Sequence, residues 1–160
     1  MVRCPSCYTE SPDDTTLCPV CQNAFAGHLM MERFRLVARL GRGGLGSVWL
    51  AEDIQLNDEP VACKILKPEL YHDHRAVSDL KREVLLTRRL RHPNILGVYT
   101  FWETEANRLI TMEYIDGSNL SELLYGQRRP FAPDALVPWI QQLGDALDYA
   151  HGEGILHRDV

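Results

Sequence analysis

Three sets of residues in this 160-residue sequence have the types and spacing to do chemistry. The first is Cys4, Cys7, Cys18 and Cys21, which read CPSC, ten residues, CPVC. Two residues between cysteines make a tight turn that aims both sulfurs at one point. Two such turns supply four thiolates at the corners of a tetrahedron, the geometry Zn²⁺ takes in structural sites. Pro5 and Pro19 occupy the same place in each turn and pre-set its bend. Iron fits the same four sulfurs. Two disulfides are the rival reading, and a redox CxxC is a weaker one because no βαβ pattern surrounds either pair. The second set is the glycine run GRGGLGSV, with Gly41, Gly43, Gly46 and Val48 spaced G-x-G-x-x-G-x-V, followed by Lys64 and Glu83. Glycines let backbone amides approach a phosphate closely. The third is His157-Arg158-Asp159, an acid that could accept the hydrogen bond of a hydroxyl.

The elements that must position these residues are legible in the pattern. FRLVARL (34–40) alternates apolar and polar as a half-buried strand does, and SVWLAE continues as a second strand after the glycines. A dinucleotide-binding glycine run should open a helix, and Val48, Trp49 and Leu50 are strand-like, so that version is rejected. Asn57 to Pro60 form a turn. VACKIL (61–66) is then a third, buried strand with one charge, Lys64, which needs a partner or a ligand. A lysine snorkelling at a strand edge is the plain alternative. The next stretch, RAVSDLKREVLLTRRL, sets Val77, Leu80, Val84 and Thr87 on one helix face, with Glu83 beside it. A bare helical glutamate is usually solvated; paired with Lys64 it would hold the ammonium toward phosphate oxygens. Pro93 ends that helix. ILGVYTFWE and RLITMEYI are two more strand-like runs around a turn at 105–107. Leu136, Ile140, Leu143 and Leu147 recur at helix spacing, with Pro138 tolerable only near a first turn and Gly152 and Gly154 as the stop. The polar N-terminal segment cannot build a core, so a metal must supply much of its folding energy.

Gly41-x-Gly43-x-x-Gly46-x-Val48, Val61-Ala-Cys-Lys64, Glu83 and His157-Arg158-Asp159 come in the order and approximate spacing of the eukaryotic-type protein kinases. Residues 34–160 resemble that family, and GRGGLG is especially similar to bacterial serine/threonine kinases. The cysteine segment resembles a zinc ribbon of the rubredoxin-knuckle type. The kinase resemblance implies an α+β, two-lobed fold: a five-stranded small lobe with one main helix, then the start of a helical large lobe, here preceded by the ribbon. It implies that Leu40, Gly41, Arg42, Gly43, Gly44, Leu45 and Gly46 cover the phosphates of ATP. Lys64 would bind them, oriented by Glu83. Val48 and Ala62 would sandwich the adenine. Met112 would be the gatekeeper, and Glu113 to Ile115 the hinge that pairs with the adenine edge. His157 would be scaffold, Arg158 would await a phosphorylated activation loop, and Asp159 would orient the hydroxyl of a protein serine or threonine.

Leu45 stands where the family often has an aromatic residue, Cys63 where an aliphatic one is common, and Val160 where Leu or Ile is usual. None suggests a dead kinase. The larger departure is length. The resemblance puts both Mg²⁺ ligands, an Asn and the Asp of Asp-Phe-Gly, after Val160. The expected organisation is therefore a ribbon over 1–27, a linker over 28–33 and an incomplete kinase domain over 34–160. Its parts are a small lobe (34–112), a hinge (113–117) and the opening of the large lobe (118–160). The expected function is that of an ATP-dependent serine/threonine protein kinase, inactive as these 160 residues alone. A pseudokinase or adaptor that binds nucleotide or a partner without transfer is the alternative. The α-helical stripe from Leu136 to Leu147 would have little to pack against and would invite association.

Bulk composition agrees with a globular protein. Net charge is −5, the basic clusters are short and mostly on helical faces, and nucleic-acid binding is not expected. No run approaches the roughly 18 apolar residues of a membrane span, and the N-terminus lacks a secretory apolar core. A cytoplasmic location is expected for this portion.

Overall fold

The computed structural model describes residues 1–4, 8–12, 15, 18–20, 25–105, 107–127 and 130–157. They form eight strands and three α-helices, an α+β fold. The chain divides into two units, Met1–Leu85 with Val98–Tyr114, and Leu86–Gly97 with Ile115–Val160. One of the cuts falls between Tyr114 and Ile115, inside the expected hinge.

In the first unit, β1 (Val2–Arg3) and β2 (Glu10–Ser11) pair by themselves near the N-terminus. The main sheet contains β3 (Leu29–Met30), β4 (Phe34–Arg42), β5 (Gly46–Asp53), β6 (Glu59–Leu66), β7 (Val98–Glu103) and β8 (Arg108–Glu113). Its order is β3-β4-β5-β6-β8-β7, antiparallel throughout. The five strands read from the sequence are all present. The sixth, β3, lies inside the stretch expected as a linker over 28–33. Leu29 pairs with Arg35 and Met30 with Phe34, and Met30 is fully buried. An apolar residue that can reach the sheet's core gains more by burial than by serving as a solvated joint.

Side chains alternate across a strand, and this alternation separates the sheet's two faces. Phe34, Leu36, Trp49, Ala51, Val61, Cys63, Ile65 and Leu109 join Met30 in one core cluster, with Met31 and Trp102 packed against it. The intervening residues Val48, Ala62 and Lys64 belong to the opposite face. Burial pushes the Cys63 thiol up to about 12, helped by the nearby Asp53 charge. It is an inert core residue, as its apolar neighbours suggest.

The β5–β6 turn is held by Asp53. Its carboxylate accepts from Gln55 N–H at 3.1 Å and caps a short 3₁₀ turn, Ile54–Leu56. Asn57 and Asp58 follow in the left-handed region (φ 56° and 60°), which short polar side chains tolerate. Arg33 donates to the same carboxylate through Nε and Nη2 at 2.6 to 2.9 Å. Helix α1 (His74–Thr87) is capped by Asp73, whose Oδ1 accepts from Ala76 N–H at 2.9 Å. Val77 and Val84 are its buried residues, two of the four on the expected stripe. Lys81 on α1 pairs with Glu103 on β7, which also accepts from Arg108 Nε at 2.7 Å.

In the second unit, α2 (Leu120–Gln127) begins with a reciprocal capping box. Glu122 N–H donates to Asn119 Oδ1, and Asn119 N–H donates to Glu122 Oε2. Helix α3 (Pro133–Gly152) starts at Pro133, so Pro138 lies in its second turn, deeper than the sequence reading allowed. Past its last residue, Gly154 (φ 77°) turns the chain, and Ile155 N–H donates to Ala150 O at 2.9 Å. Its buried residues are Ala146 and Ala150. The preceding segment 86–97 meets this helix through Tyr149, which accepts from Arg91 N–H and stacks on His92 at 5.3 Å. Of the expected stripe, Ile140 and Leu143 are exposed, whereas Leu136 and Leu147 are half-buried. Among the described residues no helix is long and apolar enough to cross a membrane.

Candidate functional site

The glycine loop joins β4 to β5 and is shaped by both. Two bulges interrupt the β4–β5 register, between Leu36 and Ala38 and between Arg39 and Gly41, and bulges bend and twist the strand they occupy. The loop closes with Gly43 N–H donating to Gly46 O at 2.8 Å, and Lys67 N–H donating to Leu45 O at 3.0 Å. Its glycines differ in purpose. A Cβ on Gly46 would lie 2.0 Å from Ile65 O and 2.9 Å from Ile65 C, so β6 leaves no room for any other residue there. A Cβ on Gly41, Gly43 or Gly44 would meet nothing within 4 Å. Those three leave a space open.

That space is an open cleft of about 450 Å³, lined by Gly41, Arg42, Gly43, Gly44, Leu45, Gly46, Val48 and Lys64. Val48 and Lys64 are directly opposite on β5 and β6, which is why they share it. Eight of the predicted site residues are thus brought together. Ala62 is buried one step along the same face as Lys64, paired with Leu50 and Met112. Met112 is half-buried, and Glu113 pairs with Val61 at the strand's end. Leu40 is exposed on β4 just before the loop. Ile115 lies in the second unit.

Glu83 lines a different, smaller cleft of about 130 Å³, with Leu45, Leu66, Leu70, Val77 and Leu80 among its walls. Leu45 belongs to both clefts. Among the described residues the ion pairs of this unit include Arg33–Asp53, Arg35–Glu52, Arg35–Asp58, Lys81–Glu103 and Arg108–Glu103. Lys64 and Glu83 line separate clefts. Asp159 and Arg158 lie outside the described residues.

The deciding comparison concerns the stretch that carries all of these groups. The protein kinase domain family matches residues 34–160. The chain belongs to the protein kinase family. Its bacterial homologues are named serine/threonine-protein kinases. This kinase-family chain is 36% identical over 134 residues to a probable serine/threonine-protein kinase PknB of Lactococcus lactis, covering 84% of the chain and 21% of that protein. It is 34% identical over 134 residues to the serine/threonine-protein kinase PrkC of Bacillus subtilis, covering 84% and 20%. Among solved structures, the PknI kinase domain of Mycobacterium tuberculosis superposes with a TM-score of 0.71 at 30% identity, covering 86% of the chain and 55% of that domain. The chain therefore spans about a fifth of the length of these two curated relatives.

The N-terminal cysteines lie outside the family match. Cys4 and Cys18, one from each CxxC pair, are both fully buried and form a small cluster with Phe25. Tyr8 N–H donates to Cys4 O at 2.9 Å, and Cys4 N–H donates to Thr9 O, which folds the first turn back on itself. Cys7 and Cys21 lie outside the described residues. Among the described residues no group of three or more His, Cys, Asp or Glu could hold a metal.

Proposed function

We propose that these residues carry the ATP-binding part of a serine/threonine protein kinase, which moves the γ-phosphate of ATP to a hydroxyl of a protein substrate. The observation that supports this most strongly is the cleft shared by the glycine loop, Val48 and Lys64. Its open glycines leave backbone amides accessible to phosphate oxygens, and Lys64 supplies the point charge that such oxygens require. Val48 and Ala62 flank the adenine, Met112 stands behind it, and the backbone of Glu113 to Ile115 pairs with its edge. Glu83 orients Lys64 once α1 brings it across from the adjoining cleft. Asp159 accepts the hydrogen bond of the substrate hydroxyl and points its oxygen at the γ-phosphate.

The lining of the cleft holds no carboxylate, so its residues do not suit Mg²⁺. The family resemblance assigns those ligands to positions numbered above 160. Accordingly the 160 residues bind nucleotide and do not transfer phosphate alone. The thiol chemistry and full burial of Cys4 and Cys18 suit a structural Zn²⁺. Cys7 and Cys21 would complete the set, and the bound ion would stabilise a small segment in which, among the described residues, Phe25 is the apolar side chain packed with Cys4 and Cys18.

Calorimetric titration with ATP tests the reading. Saturable binding that falls at least about tenfold in Lys64→Ala, the loss of one charge-assisted phosphate contact, supports it. Binding that ignores the substitution refutes it. Asp159-dependent phosphate transfer by these residues alone would refute the division of labour.

A further inference from the structure

The first unit has a cavity that the nucleotide reading does not use. It measures about 510 Å³ and lies where β5 turns into β6, with β7 as a further wall. Phe34, Tyr99 and Trp102 give it aromatic walls, and Arg33, Asp53 and Glu59 give it charges. A volume between about 300 and 1,000 Å³, apolar walls and a few convergent polar groups are the marks of a small-molecule site.

The charges do not balance. Asp53 and Glu59 are directly opposite on β5 and β6, so both carboxylates leave the sheet on one face, where like charges repel. Arg33 answers the first. It donates to both Asp53 oxygens at 2.6 to 2.9 Å, and its guanidinium lies 5.3 Å from the ring centroids of both Phe34 and Trp102. The cavity wall thus already holds one cation by a carboxylate and two rings. Glu59 is exposed, and among the described residues it enters no ion pair. Tyr99 is also exposed, and among the described residues no cation of the chain lies over its ring. The polar atoms on the sheet side are engaged with one another. Trp102 Nε1–H donates to Thr111 Oγ1 at 3.0 Å, and Thr111 Oγ1 donates to Thr100 O at 3.3 Å. A ligand is therefore offered one carboxylate and aromatic surface.

We propose that this cavity binds a small organic cation, an amine carried on a flat apolar frame, with its charge on Glu59 and its frame against Tyr99 and Trp102. The ligand's cation takes the second carboxylate as Arg33 takes the first, and it relieves the repulsion across β5 and β6. The rings add cation–π attraction. An anion is repelled by Glu59, and a neutral ligand gains the ring contacts only. The site stands apart from the nucleotide cleft and does not depend on the ATP reading.

Titration of the 160-residue chain with phenethylammonium chloride, followed by NMR through the indole N–H of Trp102, tests the proposal. Saturable binding is expected. 2-Phenylethanol, the same frame without the charge, is expected to bind at least about tenfold more weakly, the worth of one charge-assisted contact. Glu59→Gln is expected to weaken the amine about tenfold, and Tyr99→Ala about threefold. Glu59→Asp keeps the charge and is expected to keep binding, which separates loss of charge from loss of fold. No saturable shift with the amine, equal affinity for the alcohol, or an amine affinity that ignores Glu59→Gln overturns the proposal. An arginine-containing tripeptide that binds where the amine does not overturns it too, since the occupant is then a protein side chain.

Discussion

The backbone of Ile65 passes so close to Gly46 that a Cβ on the glycine would lie 2.0 Å from the Ile65 carbonyl oxygen. Only a residue without a side chain lets β5 start its pairing with β6 here, and that pairing brings Val48 opposite Lys64. Gly46→Ala must push one strand off the other. We predict a loss of about 1–3 kcal/mol, as for other overpacked sites, and weakened ATP binding. Gly43→Ala, with nothing within 4 Å of its Cβ, should stay within about 0.5 kcal/mol of the parent. Urea denaturation of the two variants checks the contrast.

Acid should weaken the first unit in two steps. Burial holds His28 below its ordinary value. The unfolded chain then takes up a proton more readily, so stability is lost as pH falls through about 6.5 and levels off at the lower folded value. The Arg33 guanidinium hydrogen-bonded to Asp53 holds that carboxyl below the usual range. This stabilisation is complete above the unfolded value of about 3.9 and disappears as pH falls through the folded one. Asp53→Asn should reduce the second step, to which Glu103, held low by Lys81 and Arg108, also contributes. Arg33 keeps 23% of its side chain exposed against 7% for Asp53, so the loss at neutral pH should be about 1–3 kcal/mol, less than for a fully buried pair. Thermal melts from pH 8 to pH 3 measure both.

Cys63 should resist alkylation in the folded protein. It is fully buried and its thiol is pushed up to about 12, so almost no thiolate is present at neutral pH. Iodoacetamide labelling followed by mass mapping should find Cys63 modified only after denaturation. Labelling in the native state would show that the core face of the sheet opens readily.

The apolar stripe of α3 should make these 160 residues associate. Ile140 is 63% exposed and Leu143 50%, on a helix whose buried residues are only Ala146 and Ala150. Ile140→Glu with Leu143→Glu should shift sedimentation toward the monomer, and an unchanged profile would place self-association elsewhere.

Much of this architecture is legible because strands declare themselves by alternation. In VACKIL, Val61, Cys63 and Ile65 go to the core and Lys64 to the other face, as a period of two requires. The α1 stripe through Val77 and Val84 is equally clear. Other features have no local signature. Strand β3 has two residues, too few to show a period, and only the sheet's core reveals why Met30 is buried. Arg33 and Asp53 are twenty positions apart in the chain. The side of the helix on which Glu83 finds its surroundings is decided by tertiary packing, so its type and place could be read while its cleft could not. A cavity bounded by Val20 and by Arg42 and Gly44 of the glycine loop joins two segments that sequence reasoning assigned to separate modules.

The chain has three lysines, and their surroundings differ. Lys67 borders the cavity that Val20 bounds, Lys81 is engaged by Glu103, and Lys64 alone lines the cleft under the glycine loop. An acyl phosphate of ATP transfers its acyl group to an amine held beside the bound phosphates, which makes the site visible by mass mapping. If the cleft binds ATP as described, label should accumulate on Lys64 and be blocked by excess ATP. Label spread over Lys67 and Lys81, or label on Lys64 that excess ATP does not reduce, would contradict it.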